Sequence, residues 1–227
     1  MNQPKLNIFC DFDGTVAVND VGNELFRAFA TEEWIAAVQE WKEGKISSRE
    51  CLERECAATT ISGKDLKRFC DRNPIDAAFT EFANYCRRRG YPVQILSDGL
   101  DLYITEILKR EHLQWLPVYS NKMVFVNSVH IRPEFPYWEH TCGFCANCKG
   151  YHLRKARDGE SVLVYVGDGL SDRCGVKEAD IIFAKDELID YCRQNGYDYI
   201  VYKNFADVLR ILKKFEKEGA VPVPEPN

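Results

Sequence analysis

The sequence LNIFCDFDGT at residues 6–15 joins a short apolar run to two aspartates separated by a single residue. An apolar run without polar alternation is typical of a parallel strand that is covered on both faces. Ligands of open α/β sheets bind at the carboxyl ends of the strands, which is where Asp11 and Asp13 follow this run. Two acids so close together repel each other unless a cation, such as a hard divalent ion, lies between them. This stretch therefore predicts a parallel sheet with a cation site at the end of its first strand.

The rest of the chain alternates short apolar runs with segments in which apolar residues recur about every 3.6 residues. Further strands are expected at residues 92–96, 161–166 and 180–183, and helices at residues 75–89, 100–110 and 205–217. This alternation indicates an α/β fold, and we predict a three-layer, Rossmann-like parallel sheet. Residues 122–131 are expected to form a β-hairpin.

One long stretch, residues 21–72, contains helical patterns and no convincing strand. It is too long for a single crossover helix, so we interpret it as an inserted all-helical cap. We therefore divide the chain into a core at residues 1–18 and 74–221, a cap at residues 19–73 and an extended tail at residues 222–227. In such an arrangement the cap covers the site and excludes bulk water.

Composition and charge argue against several classes of protein. The 227 residues are 45% hydrophobic and 29% charged, as in an ordinary globular chain. The net charge of −5, without a block of basic residues, argues against a nucleic-acid partner. Without an apolar run of about 18 residues or a signal-peptide pattern, we expect no membrane partner and a cytoplasmic location. The sequence indicates no particular oligomeric state.

Two later strand ends carry further polar groups. Ser97, Asp98 and Gly99 follow the second strand, where a hydroxyl and the N–H groups of the next helix can hold phosphate oxygens. The sequence GDGLSD at residues 167–172 follows a later strand and supplies a second pair of acids. Lys149 lies between these two segments. Carboxylates, a hydroxyl and a cation are therefore expected along one edge of the sheet.

Together these motifs resemble the four-motif signature of the haloacid dehalogenase superfamily of phosphohydrolases. Asp-x-Asp-Gly-Thr ends the first strand, a serine ends the second, a lysine follows, and Gly-Asp-Gly-x-x-Asp ends a later strand. The motifs stand in the right order and span residues 11–172, most of the chain. The resemblance implies a magnesium-dependent hydrolase that passes through a phosphorylated aspartate.

The resemblance also implies catalytic roles, and side-chain chemistry supports them. Asp11 is expected to attack phosphorus, and Asp13 to protonate the leaving alcohol and then activate water. An acid at this second position favours phosphatases over dehalogenases. Lys149 and Ser97 are expected to hold the non-transferring phosphate oxygens. Lys122 is the nearest rival for the lysine position.

The resemblance further implies a magnesium site built from oxygen ligands. The Asp11 carboxylate, the Asp13 carbonyl and Asp168 are expected to hold Mg²⁺. Asp172 is expected either to bind the ion or to orient one of its waters.

The substrate is less closely defined than the reaction. The cap directly after the first motif resembles that of the phosphoserine phosphatases, which carry Glu where Asp20 stands here. Asn19-Asp20 and the cysteines before Lys149 are similar to the bacterial 2-hydroxy-3-keto-5-methylthiopentenyl-1-phosphate phosphatases of methionine salvage. The Cys-x-x-Cys-Lys sequence is also similar to phosphoethanolamine and phosphocholine phosphatases. We expect a small phosphate ester from methionine salvage, with phosphoserine, phosphocholine and phosphoethanolamine as alternatives.

Substrate or phosphate contacts are expected from residues that flank the motifs: Phe12, Asp20, Asp98 and Gly99. Asp20 also suits an N-cap of the helix that follows it. A different class of function is a non-catalytic phospho-acceptor module of receiver type, which also places acids, a hydroxyl and a lysine around Mg²⁺. Receivers are shorter, lack a helical insert and lack the acid two residues after the phospho-acceptor, so this chain differs in all three respects.

Three of the ten cysteines are clustered. Cys142, Cys145 and Cys148, with His140 before them, have the spacing of a structural zinc site with these four ligands. The alternative is a reduced loop that shapes the pocket beside the lysine. The other seven, Cys174 among them, are expected to pack as reduced residues in or near the core. A disulfide framework is not expected.

Overall fold

The computed structural model describes residues 5–218, and a seven-stranded sheet runs through that part of the chain. The strands are β1 Lys5–Cys10, β2 Val93–Leu100, β3 Val118–Phe125, β4 Ile131–Glu134, β5 Ser161–Gly167, β6 Ile181–Ala184 and β7 Ile200–Val201. Their order is β4-β3-β2-β1-β5-β6-β7, and all neighbours are parallel except the antiparallel pair β3 and β4. The predicted α/β fold is confirmed. The tail predicted at residues 222–227 lies outside the described residues.

Ten α-helices accompany the sheet within the described range. They are α1 Val21–Phe29, α2 Glu33–Lys42, α3 Ser48–Ala57, α4 Gly63–Cys70, α5 Phe79–Arg89, α6 Asp101–Arg110, α7 Lys149–Ala156, α8 Arg173–Val176, α9 Asp186–Asn195 and α10 Phe205–Glu218. Single 3₁₀ turns lie at Trp138–His140 and Leu170–Asp172.

Alternating side chains along the strands explain the three layers. In β1, Ile8 joins a core that includes residues of α5, α6 and α10, whereas Phe9 joins a second core with residues of α7 and α9. In β5, Val164 and Tyr165 divide between the two cores in the same way. Since successive side chains of a strand point to opposite faces, a strand that is apolar at every position needs helices on both sides.

The central position of β1 fixes where a ligand can bind. This strand pairs with β2 on one side and with β5 on the other, so the order of strands reverses at β1. The crevice at the carboxyl end of such a reversal is the general ligand position of open α/β sheets.

Helices α1 to α4 form the insert between the turn after β1 and helix α5. Residues 16–18 pair antiparallel with residues 74–76, through Asp76 N–H to Val16 O at 2.8 Å and Val18 N–H to Pro74 O at 3.1 Å. The segments that enter and leave the insert therefore lie side by side. The division into a core and a cap at residues 19–73 stays a prediction.

The elements differ from expectation in several places, and helices α7, α8 and α9 were not predicted. The hairpin is longer, since β3 begins at Val118 and also pairs with β2 in parallel. The helix expected from residue 75 begins at Phe79, because residues 74–76 pair with residues 16–18. The two-residue strand β7 was not predicted, because it is too short to show a pattern.

No helix between residues 5 and 218 combines the length and apolar character that crossing a bilayer requires.

The core makes a stability prediction with a matched control. Ile104 of α6 is fully buried and Ile35 of α2 is 54% exposed. Ile104→Ala should lower the free energy of unfolding by about 2–5 kcal/mol, since it removes buried methyl groups and leaves a cavity. Ile35→Ala should change it by less than about 1 kcal/mol. Urea unfolding measures both, and equal losses would contradict this description of the core.

Candidate active site

A cavity of about 400 Å³ lies at the carboxyl ends of β1, β2 and β5. Polar side chains from the strand ends line one side: Asp11, Asp13, Ser97 and Asp168. Side chains from α1, α2 and α3 line the other side: Phe26, Val38, Trp41, Lys42, Cys51, Leu52 and Glu55. The structure thus brings the strand-end motifs together beneath the helical insert.

The turn after β1 depends on Gly14. Its φ of +72° belongs to the left-handed region, and a Cβ there would stand 2.4 Å from Asp168 Oδ2. Glycine tolerates this positive φ and has no Cβ to overlap with Asp168, so the turn can approach the end of β5. Next to it, the Thr15 hydroxyl donates a hydrogen bond of 2.8 Å to Asp168 Oδ1. A direct hydrogen bond therefore joins the Asp-x-Asp-Gly-Thr turn after β1 to the Gly-Asp-Gly-x-x-Asp loop after β5.

Lys149 is fully buried at the start of α7 and makes an ion pair with two acids. Its Nζ lies 2.7 Å from Asp11 Oδ1, pairs with Asp172 and donates to the Ser171 hydroxyl at 2.8 Å. Burial disfavours the ammonium, but the charges of Asp11 and Asp172 outweigh it and hold the pKa of Lys149 above its usual range. The rival Lys122 instead pairs with Asp101 at 3.0 Å and is 52% exposed.

Both carboxylate oxygens of Asp172 accept hydrogen bonds. Oδ1 receives Lys149 Nζ and the Tyr165 hydroxyl, and Oδ2 receives the N–H groups of Asp168 and Gly169, each at 2.9 Å. With four donors, Asp172 is better suited to orienting Lys149 and the loop at Asp168 than to binding an ion directly.

Asp13 occupies a second, separate position in the cavity. Its Oδ1 accepts the Gly22 N–H at 3.1 Å, and its Oδ2 accepts the Tyr103 hydroxyl at 2.9 Å and the Ser97 hydroxyl at 3.3 Å. Burial and the charge of Asp20 raise the pKa of Asp13 to about 7, although its hydrogen bonds oppose the shift. A carboxyl with this pKa can both give and take a proton near neutral pH.

Gly99 makes room for the contact between Tyr103 and Asp13. A Cβ at Gly99 would lie 1.9 Å from the Tyr103 hydroxyl and 3.0 Å from Asp13 Oδ2. The Gly99 N–H donates to the Ser97 hydroxyl at 2.9 Å. Ser97 and Gly99 both line the cavity.

Asp20 and Phe12 were both predicted to contact the substrate or its phosphate, but only Asp20 lines the cavity. Asp20 lines the cavity and also caps α1, since its Oδ1 accepts the Asn23 N–H at 2.8 Å. Phe12 is fully buried in the hydrophobic core and its ring packs near Tyr103, with centroids 6.1 Å apart. The expectation that Phe12 contacts a ligand can therefore hold only for its backbone, because its side chain belongs to the core.

Asp98 lines the cavity, but its carboxylate also organises the loop before Lys149. Its Oδ1 accepts the Asn147 N–H at 2.6 Å. The Asn147 amide donates to Ser97 O and Tyr119 O, both at 2.9 Å, and its Oδ1 lies 2.7 Å from His152 Nε2. This network connects the end of β2 to the loop that positions Lys149.

Charge balance indicates a further cation at this edge of the sheet. Asp11, Asp168 and Asp172 place carboxylate oxygens within 4.8 Å of one another. Burial and Asp172 raise the pKa of Asp11, and burial and Asp172 raise the pKa of Asp168 to about 7. These three carboxyl groups share the single positive charge of Lys149. A hard divalent cation with oxygen ligands fits this set.

A buried acid on α3 also faces the cavity. Glu55 is 6% exposed, and burial raises its pKa to about 8. The protonated form of Glu55 is therefore favoured at neutral pH. No local pattern singles out Glu55, because it stands among the charged residues of an amphipathic helix.

The predicted zinc ligands are assembled only in part. Cys142, Cys145 and Cys148 lie together, but the fourth member of the group within 4.8 Å is Cys174 and not His140. The His140 ring instead stacks on Tyr151, with centroids 4.6 Å apart. The ligand set that included His140 is therefore corrected.

Sequence reasoning also missed Tyr103 and Asn147. Tyr103 stands on the apolar face of α6 and looked like a core residue, although its hydroxyl contacts Asp13. Asn147 is the polar residue two positions before Lys149, and that place in the loop was the available signal.

Known proteins resemble the chain over nearly its whole length. The family model described as Putative Phosphatase matches residues 6–191. Two curated relatives, the 2-hydroxy-3-keto-5-methylthiopentenyl-1-phosphate phosphatases of Brevibacillus brevis and Geobacillus kaustophilus, are 29% and 28% identical in sequence to this chain. They match 94% and 93% of this chain and 98% and 97% of their own lengths.

Solved structures share the fold. A phospho-aspartyl intermediate analogue of phosphoserine phosphatase is 22% identical, with a TM-score of 0.71, and the match covers 92% of this chain and 99% of that one. A substrate-bound phosphoserine phosphatase complex is 21% identical, with a TM-score of 0.69, and the match covers 96% of this chain and 99% of that one.

The raised pKa of Glu55 predicts a pH-dependent stability. Between about pH 4.5 and about pH 8 the folded protein keeps a proton on Glu55 that the unfolded chain releases. The free energy of unfolding therefore falls as the pH rises through this window. Glu55→Gln removes this loss, so its stability relative to wild type should rise by about 2–4 kcal/mol from pH 5 to pH 8.

Urea unfolding at both pH values measures this difference. Glu53→Gln is the matched control, because Glu53 is exposed on the same helix and pairs with Arg49 at the surface. A Glu55→Gln difference that stays constant with pH would refute the buried, protonated carboxyl.

Proposed function

The chain belongs to the Putative Phosphatase family and is a phosphomonoester hydrolase of the haloacid dehalogenase type, and we propose that it hydrolyses 2-hydroxy-3-keto-5-methylthiopentenyl-1-phosphate with Mg²⁺ through a phosphorylated Asp11. A receiver-type phospho-acceptor module is set aside by this membership.

One observation carries the proposed chemistry. The Lys149 ammonium stands 2.7 Å from the Asp11 carboxylate at the floor of the cavity, while Asp13 faces the same cavity from a separate hydrogen-bond network. A nucleophile beside a fixed cation, with a distinct acid nearby, is the arrangement that transfer of a phosphoryl group to a carboxylate requires.

The donor set supports magnesium as the second cation. Asp11, Asp168 and the Asp13 carbonyl are the ligands we propose, since buried carboxylates with excess negative charge favour a hard ion. When bound, Mg²⁺ supplies positive charge that screens the carboxylate from the phosphate and so lets one anion approach the other. The hydrogen bonds of Asp172 support its role as a positioning residue for Lys149.

In the first half-reaction, an Asp11 oxygen attacks phosphorus and the bond from phosphorus to the ester oxygen breaks. Asp13 donates its proton to that oxygen, so the product leaves as a neutral alcohol. Lys149 and Ser97 hold the oxygens that are not transferred and stabilise their charge. The raised pKa of Asp13, about 7, supports this role, because the carboxyl is partly protonated at neutral pH.

In the second half-reaction, the ionised Asp13 removes a proton from water. The water oxygen then attacks phosphorus, the bond from Asp11 to phosphorus breaks, and inorganic phosphate leaves. Asp11 is regenerated as a carboxylate and Asp13 is again protonated. The hydrogen bond from Tyr103 supports this cycle by holding the Asp13 carboxyl in place.

The helical side of the cavity supports the methylthio substrate. Phe26, Val38, Trp41 and Leu52 form an apolar wall opposite Asp11. Such a wall suits a short thioether chain that extends from the phosphate. The names of the relatives support the same substrate, and with it a place in methionine salvage.

Two acids in the same cavity favour a second candidate. Asp20 and Glu55 both face it, and a substrate ammonium beside them would stabilise their ionised forms. Phosphoserine, phosphoethanolamine and phosphocholine carry such a cation, so hydrolysis of one of these esters is the alternative.

Removal of the nucleophile tests the mechanism. Asp11→Asn should lower kcat by at least about a thousandfold, because the amide cannot form the covalent intermediate. Asp190→Asn is the matched control, since Asp190 is 67% exposed on α9, and its kcat should equal that of wild type. Full activity in Asp11→Asn, measured as Mg²⁺-dependent phosphate release by the folded variant, would refute the assignment.

A substrate panel separates the two candidates. The methylthio ester should have a kcat/KM at least about tenfold above those of phosphoserine, phosphoethanolamine and phosphocholine. A ratio of this size can arise from a single contact in the pocket. Leu52→Ala should lower kcat/KM for the methylthio ester about tenfold, whereas Glu55→Gln should leave it within about threefold. Faster turnover of an amine-bearing ester that Glu55→Gln abolishes would establish the alternative instead.

A further inference from the structure

Four thiols from two separate segments meet beside the active site. Cys142, Cys145 and Cys148 belong to the loop before α7, and Cys174 belongs to α8. The Sγ atoms of Cys142 and Cys145 are 3.5 Å apart, and those of Cys142 and Cys145 lie 3.8 and 3.9 Å from Cys174. All ten cysteines are free, and these separations are far beyond a disulfide bond of about 2.05 Å.

These four cysteines differ from the other six in their surroundings. Each of the other six lies in one of the hydrophobic core clusters: Cys10, Cys51, Cys56, Cys70, Cys86 and Cys192. None of the clustered four is a member of those cores, and Cys142 is exposed. Packing as small apolar side chains therefore accounts for the six but not for the four.

We propose that Cys142, Cys145, Cys148 and Cys174 bind one Zn²⁺ as four thiolates. Zn–S bonds of about 2.3 Å in a tetrahedron set the sulfur atoms about 3.8 Å apart, close to the three separations given above. Four soft sulfur ligands in this geometry select zinc over the hard ion proposed for the carboxylates. Since all four positions are filled by protein, the site is structural and has no open position for a substrate.

The backbone around the cluster supports thiolate ligands. The Cys145 N–H points at Cys142 Sγ at 3.5 Å, a contact that stabilises negative charge on sulfur. Gly143, with a φ of +83°, makes the tight turn that brings Cys142 and Cys145 to one side.

The position of the cluster indicates what the zinc does. Cys148 immediately precedes Lys149, and Cys174 follows Asp172 by two residues. The two segments also pack closely, because a Cβ at Gly150 would stand 2.5 Å from Cys174 O. A metal shared by these segments fixes the start of α7 against α8 and so holds Lys149 in contact with Asp172.

Metal content tests the proposal independently of the reaction. Full-length wild-type protein purified without added metal should contain about one zinc per chain, and Cys142→Ser and Cys174→Ser should each contain less than about 0.2. Two controls sharpen this result. His140→Ala should keep its zinc, since His140 stacks on Tyr151, and Cys192→Ser should keep it because Cys192 lies in the core.

A measurement on wild-type protein covers the case in which a cysteine variant fails to fold. Protein with its zinc exchanged for Co²⁺ should show the absorption of a tetrahedral cobalt–thiolate centre, and zinc removal by a chelator should lower Tm. Zinc below about 0.2 per chain in wild type, iron in its place, zinc loss in His140→Ala or full zinc in Cys174→Ser would each overturn the proposal.

Discussion

The buried ammonium of Lys149 between two carboxylates is the interaction on which the rest of the site depends. Its Nζ meets Asp11 from the end of β1 and Asp172 from the turn after β5, with no exposed surface on the lysine. A buried charge costs several kcal/mol unless it is paired, and an unpaired partner left behind costs about as much. Separating any of the three segments would therefore leave a buried charge unpaired, and Asp11 connects their meeting point to the cavity that it lines.

The carboxyl groups around Lys149 outnumber its single ammonium. The same burial that raises the pKa of Asp168 to about 7 makes the acids a ready site for a hard cation. The four thiols next to Lys149 have the opposite character and suit a soft metal. One short stretch of chain thus separates the carboxylates proposed to hold Mg²⁺ from the thiols proposed to hold Zn²⁺.

Residue patterns predict some parts of this molecule well and others poorly, for physical reasons. The parallel strands were predictable because covering both faces makes them apolar at successive positions, as in residues 162–166. The acids and Lys149 follow from motif order, and the ion pair with Asp11 distinguishes Lys149 from Lys122. Cys174 joining the thiol cluster could not be predicted, because that contact depends on how α7 packs against α8 and leaves no local pattern.

The covalent intermediate is the central claim, and trapping it is the most direct test. Protein mixed with substrate and quenched in acid within one turnover should carry the mass of one phosphoryl group, and peptide mapping should place that group on Asp11. Once formed, the label should decay more slowly in Asp13→Asn than in wild type, because the variant can no longer activate water efficiently. Phosphate release with no labelled protein at any time, or a label on another residue, would contradict the mechanism.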